Sequence, residues 1–239
     1  MNAKRTREAF ILGAFICLGL VAFGYILSNT AIKVKGMDRT VTVKGLAERE
    51  VPANIAIWPI SFSEAYNDLT QLYVELEKKS GLIIRFLKEN GIKDDEITMS
   101  QPSIVDRQAQ DYGNAGKIQF RYIASATVTV YSTNVALVRE TMKKVVALGK
   151  EGIAISGQGF QNRTEYLFTG LNEIKPAMIE EATKNAREVA VKFAMDSKSK
   201  LGKIKRAVQG QFSIKDRDSS TQYIKKVRVV STIEYYLSD

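Results

Sequence analysis

The sequence predicts an α+β protein with antiparallel sheets, helices on one face of the sheets, and one N-terminal transmembrane helix. Residues 9–27, AFILGAFICLGLVAFGYIL, contain no charged residue and no proline. The chain after them is charged, and its apolar residues recur with a period of two in some segments and of three to four in others. These two periods are those of half-buried strands and of amphipathic helices.

The apolar run has the length and composition of a membrane span. A helix of this length measures about 28 Å at roughly 1.5 Å per residue, close to the hydrocarbon thickness of a bilayer. Helix geometry also pairs the backbone polar groups within lipid. We expect residues 9–27 to be a transmembrane anchor with lipid-facing side chains at Phe10, Ile11, Leu12, Phe15, Leu18, Leu20, Phe23, Ile26 and Leu27.

The flanks of this run predict its orientation. Lys4, Arg5 and Arg7 precede it, with only Glu8 as an acidic neighbour. Basic flanks stay in the cytoplasm, so residues 1–8 form a cytoplasmic stub and the body lies outside. A cleaved signal peptide is the alternative, which would release the body into the periplasm. The long run and the absence of an Ala-x-Ala site at 28–31 favour an uncleaved anchor.

Composition excludes several classes of function. The chain has no histidine, and Cys17, in the apolar run, is its only cysteine. The commonest general base and metal ligand are therefore missing, and no intrachain disulfide can form. We expect no enzyme, no metal site and no cofactor. The net charge of +9 indicates a solvated surface near anionic lipid or an acidic polymer, because the compartment argues against nucleic acid.

Two strands open the body. Residues 40–47, TVTVKGLA, alternate with Val41, Val43 and Ala47 in phase. Residues 53–65 are apolar on both faces, as in a more deeply buried strand. Pro59 in this second strand cannot donate a backbone hydrogen bond, so we expect a sheet edge or a bulge there.

An amphipathic helix follows these strands. Asn67 or Asp68 is expected to cap it, and the pair Asn90-Gly91 to end it in a left-handed turn. One apolar stripe at helical spacing is expected to face the core, formed by Leu69, Leu72, Tyr73, Leu76, Ile83 and Leu87.

The middle of the chain predicts a hairpin. Residues 97–108 form a strand interrupted or bent at Pro102, residues 109–117 a polar tip, and residues 118–132 the returning strand. In the returning strand, one face is apolar and one is polar, as in an antiparallel sheet with one wet side. The apolar face comprises Phe120, Tyr122, Ala124, Ala126, Val128 and Val130.

Two further helices are predicted. Asn134 caps the first, whose inward residues are Val135, Val138, Met142, Val145 and Val146. Residues 153–168, with Gly157 and Gly159, then form a strand. The second helix covers about 173–199, with Pro176 tolerated in its first turn. It carries a ridge of small residues that we expect to pack on the sheet or, alternatively, to form a subunit contact: Ala182, Ala186, Ala190 and Ala194.

Two long strands end the chain, at residues 203–215 and 224–237, joined by a polar tip at 216–222. Ile204, Val208, Phe212 and Ile214 are expected on one face of the first strand. If the strands pair, they carry a basic face, which is either a solvated sheet surface or a contact for acidic lipid or polymer. Its residues are Lys203, Lys205, Arg206, Lys225, Lys226 and Arg228.

The predicted order is β-β-α-β-β-α-β-α-β-β. Residues 53–168 form a split β-α-β-β-α-β unit, which gives an antiparallel sheet with two helices on one face. We therefore expect residues 28–39 to be a linker and residues 40–239 to be one compact body, with a division into two lobes left open. The GQG sequence at 157–159 and the acidic turns at 94–96 and 216–218 lack the spacing of phosphate or calcium loops.

The order of several short motifs resembles a known family. VKG at 43–45, PA at 52–53, LKENGI at 87–92, DDEI at 94–97, YIAS at 122–125 and LGKI at 201–204 occur in sequence. Over residues 40–238 the chain resembles the SIMPL-domain family, which includes bacterial periplasmic immunogenic and oxidative-stress-defence proteins. The resemblance implies an extracytoplasmic α+β domain that assembles into large, channel-like homo-oligomeric rings, with no established enzymatic activity and no catalytic residues.

Three functions are compatible with these observations. The first is a self-assembling protein of the cell envelope, tethered to the bacterial inner membrane with its body in the periplasm. The second is a periplasmic module that binds a ligand or an envelope partner, which needs a concave pocket. The third, an enzyme, is disfavoured by the missing histidine and nucleophile motifs.

Overall fold

A computed structural model describes residues 3–36, 39–110, 119–156 and 162–238. It divides into two compact units. Unit 1 comprises Met1–Glu48, Pro176–Phe212 and Arg228–Asp239, and unit 2 comprises Arg49–Lys175 and Ser213–Val227. Each unit contains antiparallel strands and helices, which confirms the α+β class.

The first helix, α1 (Ala3–Gly36), contains the apolar run and continues beyond it. Its segment Phe10–Thr30 is long and apolar enough to cross a membrane, and none of it is buried within the structure. Of the expected linker at 28–39, residues 28–36 are thus helical in backbone. Such a helix fits either a single membrane anchor or a signal sequence.

The strands and helices of the body follow the predicted order, with three segments divided into shorter pieces. In chain order they are β1 (Thr40–Pro52), β2 (Ile55–Tyr66), α2 (Leu69–Glu89), β3 (Ile97–Met99), β4 (Ser103–Asp106), α3 (Arg107–Gln110), β5 (Tyr122–Ser132), α4 (Val135–Lys143), α5 (Val146–Lys150), β6 (Glu165–Leu167), α6 (Leu171–Asp196), β7 (Lys200–Gln209), β8 (Ser213–Asp216) and β9 (Ile224–Ser238). A short 3-10 turn, Asp94–Glu96, precedes β3.

Unit 2 is built on a five-stranded sheet in the order β3-β5-β2-β6, with β4 also pairing with β5. These strand pairs are antiparallel, so the predicted split β-α-β-β-α-β arrangement is confirmed. Alternate residues of the two central strands are buried beneath side chains of α2 and α4. The buried residues are Ala56, Trp58, Ile60, Phe62, Ala124, Ala126, Val128 and Val130 on the sheet, and Leu72, Leu76, Ile83, Leu87 and Val138 on the helices.

At Pro59, β2 pairs with only one of the described strands, β5. On one side, β2 pairs with β5 in continuous register, with Pro59 opposite Thr129. On the other side, β6 pairs only with residues 55–57, and Ile155 forms an isolated bridge with Phe62. The missing donor of Pro59 therefore costs no bond in this part of the sheet, which confirms the predicted local edge.

The helix ends follow the predicted chemistry. The Asp68 carboxylate accepts a hydrogen bond from the Gln71 backbone N–H (2.8 Å), and the Asn134 side chain accepts one from Leu137 N–H (3.0 Å). Gly91 has a φ of +90°, which places it in the left-handed region that ends α2.

Some predicted core positions are wrong. Leu69 and Tyr73 of α2 are exposed, and so are Val146 of α5 and Phe120 before β5. Leu69 is the first residue of α2. Val146 is exposed because the predicted single helix breaks at residues 144–145 and α5 starts afresh. Most of the predicted tip at 109–117, and Gly157 and Gly159, lie outside the described residues.

Unit 1 contains the sheet order β1-β9-β7, and α6 packs against it. Its buried cluster consists of Val43, Ala186, Ala190, Ile233 and Tyr235. Val227, Val229, Ile233 and Tyr235 of β9 are all buried and lie on one face of the strand, since they are separated by even numbers of residues. The strand β8 pairs with the other end of β9 and belongs to unit 2.

The predicted face of β7 is wrong because the strand contains irregularities. Ile204 lies opposite Tyr235 and Val208 opposite Thr232, with register shifts on either side of Ile204. Tyr235 is on the buried face of β9 and Thr232 is on the other. Ile204 and Val208 therefore point to opposite sides of the sheet, since directly opposed residues share a face.

Candidate functional site

Unit 2 contains two adjoining concave spaces between α4 and the segments that flank β6 and β9. The first is a polar cavity of about 290 Å³, lined by Arg139, Met142, Lys143, Thr164, Tyr166, Ser219, Ser220, Gln222 and Tyr223. The second is a mainly apolar groove of about 660 Å³, lined by Pro52, Ala53, Asn54, Thr133, Asn134, Val135, Ala136, Arg139, Tyr223 and Ile224. Arg139 and Tyr223 line both.

The Arg139 guanidinium stacks on the ring of Tyr223, with 3.5 Å between the guanidinium carbon and the ring centroid. The ring of Tyr166 meets that of Tyr223 edge-on, with the centroids 6.2 Å apart. Stacking uses the face of a guanidinium and leaves its in-plane N–H donors available. Within the described residues, no hydrogen bond or ion pair engages Arg139.

Two hydroxyl groups at this cavity lack a strong hydrogen-bond partner among the described residues. Thr164 is only 5% exposed, and its hydroxyl has no hydrogen-bond partner in the part of the chain described. The hydroxyl of Tyr166 lies 3.7 Å from the Met142 sulfur, a weak acceptor. Burial raises the pKa of Tyr166, an effect that the positive charge of Arg139 opposes. Tyr166 is therefore neutral at physiological pH.

The cavity has a positive electrostatic character. Arg139 and Lys143 lie one helical turn apart on α4, and no acidic residue occurs in the described lining. Lys143 pairs with Glu140 at 2.7 Å, and this contact lowers the pKa of Glu140. The cavity thus combines one unpaired guanidinium, one partly neutralised ammonium group and several hydroxyls, a set that suits an anionic ligand.

The expected basic face is divided by the structure. In unit 2, Lys225 is buried and pairs with Asp216, and Lys226 lies beside it in sequence. In unit 1, Lys205 lies 3.4 Å from Glu234, whose pKa is lowered by a hydrogen bond from Thr40 and by Lys205. Lys203, Arg206 and Arg228 are exposed. Part of the expected charge is therefore neutralised by carboxylates of the same chain.

The alanine ridge lies inside unit 1. Ala182, Ala186, Ala190 and Ala194 are buried on α6. The ridge faces Gly45 of β1: a Cβ atom on Gly45 would lie 1.8 Å from the Ala182 carbonyl oxygen. A subunit contact would have to use other residues of α6, such as the exposed Val189 and Phe193.

The predicted anchor residues all lie in α1. From Phe10 to Leu27, each predicted lipid-facing side chain is exposed, and Cys17 is exposed as well. Lys4, Arg5 and Arg7 belong to the helical backbone of α1, and their side chains lie outside the described part. No group of three or more His, Cys, Asp or Glu side chains among the described residues is placed to hold a metal ion.

The fold and these features define a class: an α+β protein with one N-terminal apolar helix suited to a single membrane crossing. A family model matches residues 41–231 of the chain, and it is described as "SIMPL: Protein of unknown function (DUF541)". The chain belongs to the SIMPL family. A comparison with curated proteins finds no match.

The sequence patterns did not predict the polar cavity. Arg139, Thr164 and Tyr223 are separated by tens of residues, and each has an ordinary local setting in a helix, before a strand or in a turn. No spacing rule connects them. The aromatic and hydroxyl residues at 219–223 are the one local signal, since loops with polar and aromatic side chains are a common position for binding residues.

Proposed function

We propose that this SIMPL-family chain is a membrane-anchored protein of the cell envelope, with its body in the periplasm, that assembles with copies of itself. The anchor is supported by the apolar segment Phe10–Thr30 of α1. The orientation is supported by the basic residues that precede it. We further propose a contribution to stress defence of the envelope. Its support is the resemblance to the SIMPL family, not a particular residue.

One observation carries the proposal of self-assembly: β7 has no buried residue along its ten-residue length. It ends the sheet order of unit 1, so its outer backbone groups have no partner strand among those described. Ile204 is 48% exposed although it lies opposite the buried Tyr235, on the core side of the sheet. The buried cluster beneath α6 includes residues of β1 and β9, with Leu201 of β7 at its margin, and it leaves Ile204 exposed.

Unit 1 also exposes apolar side chains on α6. Phe193 is 55% exposed, and Val189, one turn earlier, is partly exposed. Apolar residues on an uncovered sheet edge and on the covering helix are the features that a second copy would bury. Two features of β7 hinder its pairing with an arbitrary strand of another chain: the lysines at positions 203 and 205, and the irregular register. The contact between copies should therefore be a specific one.

The test is the mass of the full-length protein in nonionic detergent, measured by light scattering during gel filtration. We expect wild-type particles to contain several chains. The double variant Phe193→Lys/Ile204→Lys should dissociate, because each lysine would have to be buried without a partner charge.

A double variant with the same charge change in unit 2 is the control. Val74 and Val146 are both exposed, and Val74→Lys/Val146→Lys should leave the mass unchanged. A monomeric wild-type chain, or equal dissociation of both double variants, would contradict assembly through unit 1.

A further inference from the structure

The stacked pair of Arg139 and Tyr223 lies where the polar cavity and the apolar groove of unit 2 adjoin. A ligand that touches Arg139 can therefore reach hydroxyl groups on one side and apolar surface on the other. The stacking distance of 3.5 Å holds the guanidinium flat against the ring. This orientation fixes the direction of its N–H donors before any ligand binds, which lowers the entropic cost of binding.

The charge available in the cavity matches a monoanion. Arg139 has no acceptor among the described residues, whereas Lys143 is already paired with Glu140 at 2.7 Å. A planar guanidinium forms two parallel hydrogen bonds with a carboxylate. A phosphate group with nearly two charges would leave one of them poorly compensated, so the carboxylate is the better match.

Thr164 is an independent sign of a missing ligand. Its side chain lines the cavity, is 5% exposed, and has an unpartnered hydroxyl in the described part of unit 2. Burying a hydroxyl without a partner destabilises a fold, and such groups in native proteins call for an explanation. A polar group of a bound molecule would satisfy this hydroxyl.

Size and polarity limit the ligand further. The cavity of about 290 Å³ lies close to the lower limit of the volumes usual for ligand pockets, about 300–1,000 Å³. The adjoining groove offers Pro52, Ala53, Val135 and Ile224 as apolar surface. A small head group in the cavity with an apolar substituent in the groove would use both spaces.

We propose that unit 2 binds a small carboxylic acid with an apolar substituent. The carboxylate accepts hydrogen bonds from Arg139, the Thr164 hydroxyl bonds to a polar atom of the head group, and the substituent lies along Tyr223 in the apolar groove. This ligand site goes beyond self-assembly and does not depend on it, because every residue named belongs to unit 2.

The test is calorimetric titration of the full-length protein in nanodiscs of zwitterionic lipid, with empty nanodiscs as the blank. The probe is 3-phenylpropionate, and its uncharged amide and inorganic phosphate are compared with it. We expect saturable binding of the carboxylate and weaker or no binding of the other two. Arg139→Gln should weaken binding of the carboxylate by about 10-fold to 100-fold, as expected for a charged hydrogen bond.

Arg85→Gln is the matched control, because Arg85 is an exposed arginine on another helix of unit 2. It removes the same charge and should leave the affinity unchanged. Equal affinity of wild type and Arg139→Gln would overturn the proposal. Binding of phosphate as tight as that of the carboxylate would overturn the ligand class, and absence of carboxylate binding would overturn the site.

Thr164→Val separates a ligand contact from a purely structural role. Valine has nearly the same shape and removes the buried, unpartnered hydroxyl, so the thermal midpoint should stay the same or rise. The affinity for the carboxylate should nevertheless fall by about threefold to tenfold, the effect of one lost hydrogen bond. An unchanged affinity in this stable variant would contradict the role of Thr164 in binding.

Discussion

A Cβ atom on Gly45 of β1 would lie 1.8 Å from the carbonyl oxygen of Ala182 on α6. The same Cβ would lie 2.8 Å from the Cβ of Ala186. The helix thus approaches the strand so closely that Gly45 has no room for one more carbon atom. This contact explains why the ridge of small residues on α6 faces a glycine of the motif VKG.

Gly45→Ala should destabilise the fold by about 3 kcal/mol or more, because backbone atoms cannot move aside as a flexible side chain can. The measurement is chemical denaturation of the full-length protein in detergent, followed by circular dichroism. Gly81→Ala is the control: nothing lies within 4 Å of its added Cβ in α2, so helix propensity should stabilise it by about 1 kcal/mol. Equal stability of the two variants would contradict the close contact.

The corrected stripe on α2 gives a second prediction. Leu72 is fully buried, whereas Leu69, one turn earlier, is exposed. Leu72→Ala should cost about 2–5 kcal/mol of the free energy of unfolding, while Leu69→Ala should cost less than about 1 kcal/mol. Trp58, the only tryptophan, is buried in the same core, so its fluorescence reports the unfolding of unit 2. If Leu69→Ala and Leu72→Ala reduced the free energy of unfolding equally, a different face of α2 would have to lie against the sheet.

The turn before β9 gives a prediction on pH. The Asp218 carboxylate accepts hydrogen bonds from Thr221 and from Arg217, the latter at 3.0 Å. These contacts, with that of Thr221 the largest, lower the pKa of Asp218 well below its ordinary value. A lowered folded-state pKa means that the charged form stabilises the fold above the unfolded pKa of about 3.9 and that this contribution is lost as the pH falls.

Asp218→Asn should therefore be less stable than wild type at pH 6, and the two should converge as the pH falls toward 2. Denaturation midpoints measured across this range provide the check. Asp95→Asn, in the exposed 3-10 turn before β3, serves as the control for the loss of one surface carboxylate outside the turn that contains Asp218. A gap between wild type and Asp218→Asn that does not change with pH would refute the assigned contacts.

The orientation of the anchor gives a fourth prediction. In a Cys17→Ser background, the chain has no cysteine, so one introduced cysteine reports its own side of the membrane. Gln101→Cys, at an exposed position of the body, should react with a membrane-impermeant maleimide in cells whose outer membrane is permeabilised. Ala3→Cys, before the apolar run, should react only after the inner membrane is opened. The reverse pattern would place the body in the cytoplasm.

Local patterns in the sequence were sufficient for most elements of the fold. The caps at Asp68 and Asn134, the left-handed Gly91 and the alternating strand β5 follow from interactions within a few residues. Periodicity could not show how far a neighbouring layer extends. Leu69, Tyr73 and Val146 have the spacing of core residues and are nevertheless exposed.

The sequence by itself determined the α+β class, the order of its strands and helices, the N-terminal apolar helix and the SIMPL family, since these follow from local periodicity and from motif order. Only the tertiary structure decided which surfaces remain open and which distant residues meet. It brought Arg139, Thr164 and Tyr223 to one cavity, turned Ile204 and Val208 to opposite faces, and covered the alanine ridge with Gly45. Such contacts between distant residues depend on how the elements pack and on register shifts between strands. Neither produces a periodic pattern in the sequence.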